Sequence, residues 1–281
     1  MKKGFFYFLI FILMAWQRFS FAVPTLNDME TMSYSSDPCS MEGMLELVNR
    51  PTVSDSPCVV SPGRVLIEGG FQYLNLRTVT NVHGEGTGYL YPQAEIRYGF
   101  RGENEAFIIL PNITSQTNPD ETGLGVMSLG MKHETLHFRK GVFSLEGVVT
   151  PPSGNTLFGS SKGGLMANGI VTYLWDQDWT LLGMLGAGVQ SLSYKSGGSS
   201  FFTVNPDVVL TWQPLKSVAL YGEVYGQSST GPGQGAGCNA DAGIQYLFTK
   251  DIEIDLEGGV RVSGELGGFN RYVGVGFGIL F

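Results

Sequence analysis

Charge is what this chain has least of. Asp, Glu, Lys and Arg make up 15% of its 281 residues, few for a water-soluble surface. No cluster of Lys or Arg occurs after the first few residues, and the formal net charge is −8. Both facts argue against a nucleic-acid partner, which would require basic patches. Beyond the first 22 residues, no stretch is apolar enough and long enough to cross a bilayer as a helix. Glycine, at 40 residues, and aromatics, at 12%, are by contrast abundant. Disorder is excluded, because disordered chains are aromatic-poor and charge-rich. The glycines carry no three-residue period, which excludes collagen. Each glycine inside a helix costs about 1 kcal/mol relative to alanine, which disfavours a helical bundle. An all-β protein remains.

Residues 1–22 read as a secretory signal peptide. Lys2 and Lys3 precede the apolar run at 4–16, and Ser20 and Ala22 are small residues suited to peptidase cleavage. The run is shorter than the ~20 residues of a membrane-spanning helix. No cysteine stands at the cleavage point, so a lipoprotein is disfavoured. Cleavage removes three basic residues and leaves 14 basic against 25 acidic, a net charge of −11. If the exported protein is embedded in a membrane, strands must carry it across.

Period-two alternation recurs in segments of about ten residues, the length of a tilted membrane strand. Residues 64–76 put Val65, Ile67, Phe71 and Tyr73 on one face, with Glu68 and Gln72 on the other. In 89–100, Leu90, Ala94, Ile96 and Tyr98 point outward and Gln93, Glu95 and Arg97 inward. In 251–263, Ile252, Ile254, Leu256, Val260 and Val262 point outward, with Glu253, Asp255, Glu257 and Arg261 inward. Further segments are 104–113, 122–133, 142–151, 164–175, 178–194, 200–213, 216–228, 237–248 and 269–281. Apart from 104–113, whose phase alternation does not fix, none requires a charge on its apolar face. Lys132, Glu146, Asp207, Glu223 and Asp241 all fall in the polar phase. Lipid demands this exclusion, since Arg or Lys at the bilayer midplane costs ~2–4 kcal/mol. Pro206 removes a ladder donor within 200–213 and should mark a bulge or strand end.

The connections alternate as well. Turn-rich stretches near 77–88, 112–122, 151–163 and 228–236 are long, whereas those at 101–104, 176–178, 214–216 and 249–251 are short. Bacterial outer-membrane barrels show this rhythm, with short periplasmic turns and longer outer loops. Trp175, Trp179 and Trp212 lie beside short turns, and Phe100, Phe248 and the terminal Phe281 join them on the same rim. Such rings prefer the headgroup level and form a girdle there. The expected fold is a transmembrane antiparallel up-and-down β-barrel of about twelve strands over 61–281, preceded by a periplasmic segment at 23–60. A ten-strand barrel with one irregular element is the alternative count.

The chain ends on Val273, Val275, Phe277, Ile279 and Phe281 at alternate positions. This pattern resembles the C-terminal signal read by the bacterial outer-membrane insertion machinery. PQAEIRYGF at 92–100, GLGVMSLGMK at 123–132, TPPSG at 150–154, LYGEVYGQS at 220–228 and GIQYLFTKDIEIDLEGGV at 243–260 carry a further resemblance. Together with VGVGFGILF at 273–281, they are similar to a family of outer-membrane transporters named after the meta-cleavage pathway of phenol degradation. The resemblance covers roughly 60–281 and implies a Gram-negative outer-membrane barrel in contact with lipid. It specifies a barrel and its turns rather than a catalytic site, and it carries over substrate identity only weakly.

Candidate chemistry is sparse. His133-Glu134-Thr135-Leu136-His137 spells the zinc-protease string HExxH, which works on a helix. Here it continues an alternating strand, where residues four apart lie ~13 Å from each other, so no metal is expected. His83 with Glu85 falls in an outer loop, and no Ser-His-Asp set is present, so neither an enzyme nor a cofactor is expected. Cys39 and Cys58 bracket one short helix and a loop, and an oxidising compartment makes them a disulfide. That segment is either a stapled extension or a plug or cap of the lumen. Cys238 is the odd thiol. Glu68, Glu95, Glu146, Asp207, Glu223, Asp241, Glu253, Asp255 and Glu257, with Arg97, Lys132 and Arg261, form the expected lumen lining. Two readings stay open: a path for a small, aromatic or amphipathic solute, or a closed structural or surface-interaction barrel.

Overall fold

The computed structural model describes residues 38–40, 44–76 and 86–281. The leader at 1–22 and the pair His83 and Glu85 lie outside these residues. Twelve antiparallel strands make the wall. They are β1 (Val65–Leu76), β2 (Gly86–Tyr91 with Glu95–Phe100), β3 (Asn104–Ile109 with Ile113–Gln116) and β4 (Glu121–Leu124 with Ser128–Phe138). There follow β5 (Gly141–Thr150), β6 (Gly164–Leu174), β7 (Trp179–Ser191) and β8 (Ser200–Leu215). The last four are β9 (Val218–Gln227), β10 (Gly237–Thr249), β11 (Ile252–Ser263) and β12 (Phe269–Leu280). Among the described residues there is no α-helix.

Each strand pairs with its successor, and β12 returns to β1 through the register Leu66↔Leu280 to Leu74↔Tyr272. The Phe281 N–H donates to the Val65 carbonyl at 2.8 Å and extends this seam to the last residue. The sheet is therefore closed on itself, which removes the free edge strands of an open sheet.

Alternation sets the two faces. On β11, Ile254, Leu256, Val260 and Val262 are exposed while Glu253, Asp255 and Glu257 between them are buried. The same outward apolar face runs round the wall, including Leu165, Leu185, Phe202, Val224 and Val273. Trp179 and Trp212 stack at the short-turn rim, 5.9 Å between ring centroids. Arg271 departs from the expected exclusion, because it shares the outward phase of Val273. It lies near the long-loop end of β12, where a long basic side chain reaches water.

Three neighbouring strands break at one height. Residues 92–94, 110–112 and 125–127 lie opposite one another between paired stretches of β2, β3 and β4. Pro92 and Pro111 supply no ladder donor there. The break shifts the phase of β2, so the single frame expected over 89–100 is corrected. Tyr98 faces outward below the break and Tyr89 and Tyr91 above it, while Leu90 packs inward on the Leu74, Phe269 and Tyr272 cluster. The loop expected over 112–122 is largely strand, because 113–116 pairs with 121–124. Pro206 neither ends nor bulges its strand against β7, where Leu185↔Pro206 is an ordinary step. The ladder from β8 to β9 begins only at Asp207↔Tyr225, so the missing donor falls where that ladder has stopped.

The largest correction concerns the segment before the barrel. Residues 44–60 do not hang below the wall as an extension; they lie among the buried inner side chains of the strands. Of the helix expected here, residues 44–48 make one turn, with Leu47 and Val48 N–H groups donating to the Met44 carbonyl. Cys39 and Cys58 form a disulfide, Cα to Cα 5.2 Å.

Glycines make room for this plug. On the inner face of β12, a Cβ at Gly276 would fall 2.2 Å from Arg50 Nε and 2.4 Å from Asp255 Oδ2. One at Gly99 would fall 1.8 Å from the Val60 carbonyl oxygen. Gly276→Val is expected to destabilise the protein by about 1–3 kcal/mol, the usual cost of overpacking. Gly222→Val, whose Cβ meets nothing within 4 Å, should leave stability unchanged. Thermal unfolding followed by circular dichroism in micelles checks both.

Candidate functional site

The plug has no regular secondary structure beyond its turn, so its backbone N–H and C=O groups need partners from elsewhere. The inner wall provides them. Glu68 on β1 accepts the Asn49 and Arg50 N–H groups at 2.9 and 2.8 Å. Glu223 on β9 accepts Val53 and Ser54, both at 2.9 Å. Glu105 on β3 accepts Val60 at 2.8 Å, and Glu134 on β4 accepts Val59 at 2.6 Å. Wall donors take the carbonyls: Lys132 Nζ bonds Ser56 at 2.7 Å, Ser144 Oγ bonds Pro57 at 2.5 Å, and Gln245 Nε2 bonds Arg50 at 3.0 Å.

Two guanidiniums organise the charges. Arg97 is fully buried, and its five N–H donors make five hydrogen bonds. Nε and Nη2 hold Glu105 in a fork at 3.0 Å each, Nη1 reaches Glu68 at 3.1 Å, and the remaining two bonds go to the Leu47 and Cys58 carbonyls. Arg50, from the plug, points back at the wall, with Nη2 at 3.2 Å from Asp255 and 3.1 Å from Glu257. Burial alone lowers the Arg50 guanidinium, and those two carboxylates more than reverse the effect, so its pKa stands above its ordinary value. Lys132 sits 3.1 Å from Glu105 and 3.8 Å from Glu146.

The expected lining residues thus fall into groups. Glu68, Glu95, Arg97, Lys132 and Glu146 cluster around the plug on the β1–β5 side, with Asn49 Nδ2 donating to Glu95 at 3.0 Å. Asp255 and Glu257 meet Arg50, and Glu223 holds the plug backbone. Asp241 accepts the Tyr272 hydroxyl at 2.5 Å. Glu253 is buried and makes no hydrogen bond among the described residues, and Asp207 is buried with its carboxyl against that of Glu223. Arg261 stands apart, at the long-loop end of β11, bonded to the Gly264 carbonyl and Asn270. Of the terminal alternate set, Val273, Val275, Phe277 and Phe281 are exposed outward and Ile279 is half-buried.

Arg50, Glu105 and Glu134 belong to the site and escaped the alternation. Glu105 lies in the short segment whose phase stayed open, and the pairing Glu105↔Lys132 settles it. Glu134 and His137 meet because the register slips between Glu134 and Leu136, a bulge that puts residues three apart on one side. His137 Nε2 lies 3.2 Å from Glu134 and 3.6 Å from Glu103. The HExxH string is therefore on a strand, but not an even one. Glu103, Glu134 and His137 bring ligand-capable atoms within 4.8 Å of one another and are the candidates for holding a metal among the described residues. Glu134 is already committed to the plug through Val59.

Residues 48–281 match the family described as "Putative MetA-pathway of phenol degradation", a span that includes the plug from Val48 onward as well as the whole wall. The chain belongs to that family. No curated protein matches it. Among solved structures, it is similar to the COG4313 outer membrane channel from Pseudomonas putida F1, at 11% identity, 82% of this chain, all of that one and a TM-score of 0.68. At this identity the likeness concerns the fold. The NanC porin follows at 10% identity, 76% and 98% coverage and a TM-score of 0.49.

In this family member the Arg97 fork is the interaction whose loss should matter most. Arg97→Met leaves Glu105 and Glu68 buried with fewer partners, and removing one partner from a buried pair costs about 3–5 kcal/mol. Arg97→Lys should recover only part of it, since three donors on a point charge cannot reproduce a five-donor fork. Urea unfolding in micelles measures both variants.

Proposed function

We propose that the protein is a Gram-negative outer-membrane channel that passes a small, aromatic or amphipathic solute by passive diffusion, and that residues 44–60 constrict it. The leader at 1–22 would export it, and the alternate residues Val273 to Phe281 would present it to the insertion machinery. An apolar outward face, aromatic residues at the short-turn rim and a closed sheet support a lipid setting.

The observation that carries the reading is a polar lumen wide enough to hold a second pass of chain. That chain is fastened by hydrogen bonds to charged side chains rather than by a continuous apolar core. Such bonds exchange readily with water or a polar solute, as buried wet interfaces do. Acids outnumber Arg50, Arg97 and Lys132 along the lumen, which favours cations. The reading contains no catalytic step.

Planar-bilayer recording in a salt gradient tests it. Wild type should give a small, cation-preferring conductance. Arg50→Ala, which loosens the plug from Asp255 and Glu257, should raise that conductance about twofold or more. Absence of any conductance in both proteins, with no solute entry into liposomes, would make the barrel a closed structural or surface-contact element instead.

A further inference from the structure

Three inward acids follow one another on β8, β9 and β10: Asp207, Glu223 and Asp241. Two have partners. Glu223 accepts the plug N–H groups of Val53 and Ser54, and Asp241 accepts the Tyr272 hydroxyl. Asp207 has no basic partner: it is 4% exposed, its carboxyl abuts that of Glu223, and neither of its oxygens meets a well-aligned N–H or O–H donor among the described residues. An ionised carboxylate in that condition is costly unless something supplies a counter-charge or donors.

Asp207 lines a cavity of about 290 Å³ between the plug and the wall of β5–β9. The volume sits near the lower end of small-molecule pockets, ~300–1,000 Å³. Plug residues Val53 and Asp55 border it, so a second carboxylate faces the same space. Met166 and Met184 give it adaptable apolar walls, and Tyr225 adds a ring. Gln190 and Gln227, near the long-loop ends of β7 and β9, also border it and are bonded to each other at 2.9 Å. Backbone shape contributes too. Pro206 occupies the step where the β8–β9 ladder has stopped, and Gly226 opposite it carries no side chain. Arg50, Arg97 and Lys132 are committed to Asp255 and Glu257, to Glu68 and Glu105, and to Glu105 and Glu146 respectively.

We propose that this cavity is a binding site for a small amphipathic cation, with an ammonium group on Asp207 and its apolar body against Met166 and Met184. The site deepens the channel reading and rests on it for its role, as the outward-facing stop at which a solute is held before it passes the plug. Asp207 itself accepts no plug N–H group; Glu223 beside it holds Val53 and Ser54.

Titration calorimetry on the full mature protein in nanodiscs, with empty discs subtracted, tests the site without relying on transport. The probes are benzylammonium and its neutral isostere benzyl alcohol. Wild type should bind the ammonium at least about tenfold more tightly than the alcohol, the usual advantage of a charge-assisted contact. Asp207→Asn should erase the preference while leaving the circular-dichroism melt in place. Equal binding of the two probes by wild type overturns the proposal whatever the variant does, and so does an ammonium preference that survives in a folded Asp207→Asn. Liposome uptake of benzylammonium separates the two readings. Binding without uptake removes the channel and keeps the site, whereas conductance without ammonium preference keeps the channel and removes the site.

Discussion

An irregular peptide inside a barrel has nowhere to send its backbone hydrogen bonds except the wall, and that requirement shapes most of this molecule. Glu68, Glu105, Glu134 and Glu223 accept plug N–H groups, and Lys132, Ser144, Gln245 and Arg97 donate to plug carbonyls. Each unmet buried group would cost roughly 1–3 kcal/mol. The charged inner face therefore works as a surrogate for secondary structure. A carboxylate is suited to the task, because its two oxygens can take successive N–H groups, as Glu68 and Glu223 both do.

The same requirement explains the glycine content. A plug that bonds wall side chains must run close to the wall backbone, and Gly70, Gly99, Gly276 and Gly278 all sit where an added Cβ would strike plug atoms. Gly274, Gly276 and Gly278 alternate with Val273, Val275 and Phe277, so one short stretch serves two solvents. Its odd positions meet the apolar surroundings, and its even positions give up side-chain volume to Arg50, Met44 and Val48. The terminal pattern that resembles an insertion signal is thus also part of the plug's bed.

How far the sequence could be read follows from which forces are local. Strand phase is local, so β11 and β12 were legible residue by residue from alternation, and Glu253, Asp255 and Glu257 face inward as their spacing requires. Three things were not local. The break at 92–94 resets the phase of β2, and its two prolines are visible in the chain while the alignment of three breaks is a property of the sheet. The bulge at Thr135 brings Glu134 to His137 against period two. The plug itself has no periodicity at all. Its one basic residue, Arg50, was the available sign, since a lone cation in an exported acidic chain needs an acidic partner, but nothing in the spacing names Asp255 and Glu257 as that partner.

The distribution of charge across the lumen completes the argument about function. Arg97 and Lys132 stand on β2 and β4, and Arg50 meets β11, so the basic groups and the acids they neutralise gather on the β1–β5 and β11 side. Asp207, Glu223 and Asp241, on β8–β10, have no basic residue paired with them among the described salt bridges. Field lines therefore run across the barrel rather than along it. A low-dielectric wall focuses such a field into the aqueous space it encloses. A positive charge in that space is favoured near β8–β10, the side that the plug's basic group does not serve. Plug and cavity are then two consequences of one arrangement. The acids that meet cations or N–H donors from the plug fix it in place, and Asp207, which meets no plug donor, borders the space the plug leaves open.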